Sequence, residues 1–334
     1  MKIAFVTPYK VFNGGVETVT KQVENLFLKE GHHVTWLTLE NYVPTKMERF
    51  MTKILSDAYL TSKLYSKILV NYDLVICNGE FGFGISHPFC INVFHGSYLG
   101  ISKFLAKKTT LKEKIGYKIL ENVQRIGSKE KYVVAVSDFV RRILNEQQIK
   151  VDAVIANCVD TEKFKPTNSI KMNKYLFVGG YNYYAKGIDI LLELAEQGIN
   201  IDCVTNVKPP LPLNWIKSFD NNEMPQIYNR YKGLIFPSRF EASGMVTLEA
   251  MASGLPVLVG NVGVGVEILN QIPEFVIDLE SGDTVRKFLD KISVIEKNQE
   301  KFSSLARDYV LKNHSISTFE NSWLETIKKI QPLC

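Results

Sequence analysis

FPSRFEASGMVTLEAMASGLPVLV, residues 236–259, runs from an apolar strand through a polar turn into a helix and out into a second strand. Pro237 and Ser238 close the first strand. The helical pattern spans about Gly244 to Ser253, stops at Gly254, and gives way to LPVLVG (255–260). Strands that are apolar throughout and joined by a helix belong to a parallel sheet covered on both faces. The same alternation continues outward in YLFVGG (175–180), IDCVTN (201–206), GLIFPS (233–238) and EFVID (274–278). A separate series precedes it: KIAFVTP (2–8), HVTWLTL (33–39), YDLVICN (72–78), INVFH (91–95), YVVAVS (132–137) and DAVIAN (152–157). Between its first two strands Val16, Val19, Val23, Leu26 and Phe27 recur at helical spacing, with Gly31 as the stop. Two series predict an α/β protein of two doubly wound parallel-sheet domains, residues 1–165 and 166–315. The polar stretch KFKPTNSIKMNK (163–174) is the expected joint.

The composition has room for two cores. Of 334 residues, 46% are hydrophobic and 22% charged, which excludes wholesale disorder. Lys plus Arg number 40 against 35 acidic residues, too small an excess to indicate nucleic acid. The distribution is uneven: residues 1–165 hold 23 basic and 16 acidic side chains, and residues 166–334 hold 17 and 19. Cys77, Cys90, Cys158, Cys203 and Cys334 lie far apart along the chain with no C-x-x-C. That spacing argues against a zinc site or a disulfide framework and fits a reducing cytoplasm. The start, MKIAFVTPYK, has too short an apolar run for a signal peptide. No stretch reaches the roughly 20 apolar residues of a membrane span. A soluble, cytoplasmic chain is expected.

Open α/β sheets bind ligands at the carboxyl ends of their strands. After the strand ending at Ser238, Ser243 and Gly244 suit a helix start. The N–H groups of Met245 and Val246 would there form an anion site. Glu241 stands just ahead, and Glu249 lies five residues into the helix, about 7.5 Å along its axis. That matches the span from a nucleotide's phosphate to its ribose diol, whose two hydroxyls a carboxylate can accept. Two alternatives stay open: an ordinary surface helix with solvated glutamates, and a hydrolase acid/base pair. Lys186, before Gly187 at another helix start, is placed to neutralise a diphosphate. Gly14 and Gly15, in NGGVE (13–17), would let backbone approach a phosphate or acceptor. They also fit a plain strand-to-helix turn, and without G-x-G-x-x-G a dinucleotide fold is poorly supported. His95 ends a strand ahead of Gly96, so its ring is expected at the sheet's carboxyl edge. His32, His33, His87 and His314 read as structural or solvated, and Cys158 as a small buried residue.

Glu241 and Glu249, set in P-S-x-x-E-x-x-G-x-x-x-x-E-A-M-A-x-G-x-P-V, resemble the signature of retaining glycosyltransferases of sequence family four, also called glycosyl transferases group 1. NGGVE, FHG (94–96), VSDFVRRIL (136–144), NCVDTEKFKP (157–166), FVGGYNYYAKGIDILLE (177–193) and EMPQIYNRYKGLIFPS (223–238) match further family segments in order. The resemblance implies a GT-B fold: two Rossmann-like domains facing across a cleft, with a last helix of about 316–334, carrying Phe319 and Trp323, crossing back. It implies a nucleotide-sugar donor, with a UDP-sugar as the first expectation, and no required cofactor or metal. His95 and Glu241 would act at the transferred sugar. Gly14, Gly15, Gly180, Lys186, Ser243, Gly244, Met245, Val246 and Glu249 would hold the donor, and Asn157 and Arg239 would border the cleft. Two departures stand out. Gly180 occupies the place of the family's arginine, crowded by Tyr181, Tyr183 and Tyr184, so that Arg239 or backbone amides would have to substitute. Cys158 replaces the glycine of N-G-V-D.

The basic excess concentrates in residues 46–70 and 101–131. In the second, Leu111, Ile115, Ile119 and Val123 make an apolar stripe edged by Lys107, Lys108, Lys112, Lys114 and Lys118. Such a helix either lies on an anionic membrane or packs on a core with a solvated lysine face. Because the family's N-terminal domain binds the acceptor, a saccharide, glycolipid or lipid-linked acceptor, or a polysaccharide precursor, is expected. The rival readings are a sugar-nucleotide hydrolase or epimerase on the same architecture, and a non-catalytic sugar-nucleotide-binding subunit.

Overall fold

The computed structural model describes all residues except 11–14, 69, 105–109, 181, 218–219, 221, 281 and 331–334. Two compact units emerge: Met1–Ala156 with the chain from Glu320 onward, and Asn157–Phe319.

In the first unit the elements run β1 (Lys2–Val6), α1 (Gly15–Lys29), β2 (His33–Leu37), α2 (Lys46–Leu55), α3 (Ala58–Ser66), β3 (Leu74–Asn78), β4 (Cys90–Phe94), α4 (Tyr98–Phe104), α5 (Leu111–Gly127), β5 (Tyr132–Ala135), α6 (Asp138–Glu146) and β6 (Ala153–Val154). The strands form one parallel sheet in the order β2-β1-β3-β4-β5-β6. β4 is buried along its whole length, and β1 and β3 over all but one end residue each. This burial is why they read as unbroken apolar runs. Ala4, Val6, Cys77 and Cys90 pack against Leu64 and Ile68. Phe5 stacks on Trp36, with ring centroids 5.2 Å apart, and Trp323 meets Phe27 edge-on at 6.3 Å. Cys77 and Cys90, distant in sequence, become neighbours across β3 and β4 with sulfurs 3.8 Å apart. The Cys90 sulfur and burial hold the Cys77 thiol well above its ordinary pKa.

The second unit runs β7 (Tyr175–Val178), α7 (Ile188–Glu196), β8 (Ile201–Thr205), β9 (Asn214–Lys217), α8 (Met224–Asn229), β10 (Gly233–Phe236), α9 (Met245–Ala252), β11 (Val257–Gly260), α10 (Gly265–Leu269), β12 (Val276–Ile277), α11 (Thr284–Lys297) and α12 (Gln299–Asn313). Its parallel sheet has the order β12-β11-β10-β7-β8-β9. From β7 the chain winds outward through β8 and β9, then returns to β10 on β7's other side. The switch point therefore lies between β7 and β10, where ligands bind in such sheets. α13 (Ile316–Ile330) begins in this unit and continues into the first.

The change of unit falls earlier than the expected 165/166 boundary. Val159 and Phe164 are part of the second unit's core, and Phe164 packs 6.0 Å from Tyr228. The polar joint thus follows a segment already anchored by its apolar residues. At the other end the division lies at Phe319/Glu320 rather than near 316.

Candidate functional site

The loops after β7 and β10 meet at the switch point. β10 is fully buried, and beyond it Pro237 and Ser238 are buried too. The Ser238 hydroxyl lies 3.1 Å from the Ala185 carbonyl and 2.9 Å from that of Phe240. The loop after β7 closes in a tight winding: the Lys186 N–H donates to the Asn182 carbonyl at 2.9 Å and the Gly187 N–H to that of Tyr184 at 3.2 Å. Gly187 then caps α7 in the left-handed region, φ +70°, where a Cβ would stand 2.2 Å from the Pro237 carbonyl oxygen. Only glycine fits so close an approach.

Two of the expected donor residues come together here: Lys186 Nζ lies 2.6 Å from Glu241 Oε2, both side chains partly buried. The ammonium also sits 5.2 Å from the Phe236 ring centre. Gly244, φ +86°, caps α9, one residue before its first helical residue Met245. The first N–H groups of a helix have no intrahelical acceptor, and in α9 those include Met245 and Val246. Ser243 is buried and accepts a hydrogen bond from Asn157 Nδ2 at 2.9 Å. The Asn157 carbonyl in turn accepts from His314 Nδ1, a buried ring whose pKa burial lowers to about 4. Asn157 is therefore buried behind the helix start, and its Oδ1 has no partner among the described residues.

Glu249, in α9, accepts a hydrogen bond from the fully buried Tyr228 hydroxyl at 2.9 Å. Burial raises its carboxyl to about 7, against the lowering effects of Tyr228 and, more weakly, Lys163. Sequence spacing does not reveal Tyr228, since nothing local links positions 228 and 249.

One expectation changes. Arg239 does not stand free to clamp a diphosphate: its Nη1 and Nη2 donate to the two Asp189 carboxylate oxygens at 2.7 Å each. Asp189 in the first turn of α7 was not singled out from sequence; an acidic residue just inside a helix start is the signal it carried. At Gly180 a Cβ would meet nothing within 4 Å among the described residues, so no close contact there demands a glycine. Tyr181 lies outside the described residues.

In the first unit Gly14 lies outside the described residues, and Gly15 opens α1. His95 follows β4 and precedes α4, at the sheet's carboxyl edge as expected. It is half-buried, and desolvation lowers its pKa to about 4, so the imidazole is neutral. Among the described residues no group of three His, Cys, Asp or Glu could hold a metal ion.

The basic stretches present uncovered apolar residues. α2 and α5 pack against each other, and each begins with a capping box, Thr45 with Glu48 and Thr110 with Glu113. On α2, Met47 (69%) and Phe50 (57%) are exposed; on α5, so are Leu111 (75%) and Ile115 (56%). The α5 stripe is thus split: Val123 is buried, whereas the first turns stand in solvent beside Lys112, Lys114 and Lys118. Lys107 and Lys108 lie outside the described residues. Among those described, no helix is long and apolar enough to cross a membrane.

The family model for glycosyl transferases group 1 matches residues 212–322, and that for glycosyltransferase family 4 matches residues 13–163. The chain belongs to this glycosyltransferase family. Sucrose-phosphate synthase from Thermosynechococcus elongatus superposes with a TM-score of 0.77 at 15% identity, over 98% of each chain. Anabaena HepE in complex with UDP-glucose gives 0.68 at 15% identity, over 98% of this chain and all of the other (100%). The two-sheet architecture is therefore the GT-B fold. An uncharacterized 41.2 kDa protein in the cps region of Klebsiella pneumoniae is 26% identical over 186 residues, half of each chain (50% and 50%). The chain spans about half the length of the curated relatives it matches.

Proposed function

We propose that this chain moves a glycosyl group, with retention, from a nucleoside diphosphate sugar to a hydroxyl of a saccharide or lipid-linked acceptor. One observation carries the reading: Lys186, Glu241 and the α9 N-terminus converge at the second sheet's switch point, with Glu249 further along the same helix. The diphosphate would lie on the Met245 and Val246 N–H groups and beside the Lys186 ammonium. The ribose diol would donate to the Glu249 oxygen that Tyr228 does not hold. Donor entry exchanges an internal ion pair for two ligand contacts: Lys186 turns to phosphate, and Glu241 accepts from the sugar's hydroxyls. As the glycosidic bond lengthens, negative charge grows on the departing phosphate, where these preorganised donors stabilise it most. The acceptor hydroxyl then attacks an oxocarbenium-like centre from the face the leaving group vacates. His95, neutral at working pH, supplies a hydrogen bond to the transferred sugar and no charge. UDP is the first nucleotide to test, because a structural relative holds UDP-glucose.

In this reading the diphosphate needs no metal, and EDTA leaves turnover unchanged. A thermal-shift screen against UDP-, GDP-, ADP- and dTDP-sugars tests the donor site, and the absence of stabilisation by all four overturns it. Acceptor dependence separates transfer from its rivals. A hydrolase or epimerase consumes donor without acceptor, and a non-catalytic subunit binds donor yet never turns it over. Anomeric NMR of the product tests retention. On the acceptor side, the exposed apolar and basic residues of α2 and α5 support a lipid-linked acceptor met at an anionic bilayer, with the protein peripheral on the cytoplasmic face.

A further inference from the structure

The family's arginine after β7 is missing, its place taken by Gly180 with open space around it. Lys186 nevertheless stands in one defined place against Glu241, and the contacts around it show what holds it there. The Arg239 N–H donates to the Ala185 carbonyl at 2.8 Å, and its Nη1 donates to the Tyr184 carbonyl at 2.9 Å. Its guanidinium lies 4.3 Å from the Tyr184 ring centre and forks onto Asp189 with two bonds of 2.7 Å. One side chain thus grips the residue two before Lys186 and the residue three after it. It does so from the loop that carries Glu241 itself.

We propose that Arg239 is a positioning residue: paired with Asp189, it fastens the loop after β7 so that Lys186 is presented to the donor's diphosphate. This rests on the donor-site reading above. Asp189 neutralises the guanidinium, and three of its five N–H groups are already committed. Arg239 therefore serves the diphosphate through Lys186 and not as a ligand. A lysine at 239 keeps the charge but cannot fork onto a carboxylate or lie flat on a ring, so it does not replace arginine.

The test is a cycle of Arg239→Ala, Arg239→Lys, Asp189→Asn and Lys186→Ala, each folded variant titrated with UDP and assayed for donor KM and kcat. Hydrogen exchange is followed at the amides of residues 182–188. Arg239→Ala raises the UDP Kd and donor KM about tenfold with a smaller change in kcat, as expected for lost ground-state binding. Arg239→Lys fails to rescue, and in the Lys186→Ala background Arg239→Ala adds less than about twofold. Without any ligand, the 182–188 amides of Arg239→Ala exchange faster while the other strands and helices of the second unit keep their protection. If Arg239→Ala multiplies its full effect onto Lys186→Ala, Arg239 is a direct ligand and the proposal falls. Unchanged exchange in the 182–188 loop also overturns it. A wild-type chain that binds no nucleoside diphosphate overturns the donor reading instead. The exchange arm then still reports whether the staple exists.

Discussion

At the scale of single residues, Glu249 sets a pH dependence. Its carboxyl titrates at about 7 because burial penalises the charge, and the Tyr228 hydroxyl only partly offsets that. In the proposed donor site the ribose diol would need the ionised form as acceptor, so UDP affinity should rise about tenfold between about pH 6 and about pH 8. Isothermal titration across that range checks this, and Glu249→Gln flattens the profile. Tyr228→Phe removes a bond that favours the carboxylate, so the midpoint moves to higher pH. Stability runs the other way. A carboxyl raised above its ordinary value binds its proton more tightly when folded, so this group's contribution is full below about 4.5 and is lost as pH rises through about 7. Glu249→Gln should remove that component of the Tm-versus-pH curve. His95 behaves differently. With its pKa near 4 it is neutral throughout, so it adds no inflection to kcat between about pH 5.5 and about pH 8. His95→Ala should still lower kcat by about a hundredfold, with less change in donor KM; an unchanged kcat removes it from the reacting centre.

At the scale of elements, the two glycines of the loop after β7 make opposite predictions. Gly187→Ala puts a Cβ against the Pro237 carbonyl at a left-handed φ. It should cost about 2 kcal/mol or more in urea unfolding and displace Lys186 as well. Gly180→Ala meets open space and should stay within about 0.5 kcal/mol. The sequence could not rank these glycines, because a close backbone approach is a tertiary fact. What it did carry was the sheet: the strands buried on both faces were legible as apolar runs. The helix after Ser238 was legible from its glycine start and stop, and α9 lies within one residue of the expected span at each end. β9 was not foreseen, since this edge strand exposes Asn214, Trp215 and Lys217 and so lacks an apolar run. The placement of Glu241, Lys186 and Glu249 was legible because strand ends and helix starts are marked locally. Tyr228 and Asp189 were not, because their partners lie 21 and 50 residues away in the chain.

At the scale of the whole molecule, the surplus of basic residues falls on the first unit, and there it meets uncovered apolar side chains. Phe50 and Ile115 stand on neighbouring helices, more than half exposed, and Lys112 and Lys114 are exposed on the same helix as Ile115. Charged and apolar side chains are thus both exposed on this pair of helices. A bilayer with anionic headgroups accommodates both, taking apolar groups into its interface and contributing about 1 kcal/mol for each nearby lysine. The chain should therefore float with vesicles of phosphatidylglycerol and phosphatidylcholine, and far less with phosphatidylcholine alone. Added salt should weaken the binding, as screening shortens the reach of these charges. The double variant Lys112→Glu, Lys114→Glu should release the chain at least about tenfold, and Phe50→Ser, Ile115→Ser by a similar factor. All four positions are exposed, so the variants should unfold at the wild-type temperature. A chain that stays at the bottom of the gradient with both lipids sinks the bilayer reading. So does a dimer seen by ultracentrifugation without lipid and abolished by Phe50→Ser, Ile115→Ser, because the same face would then belong to a second copy.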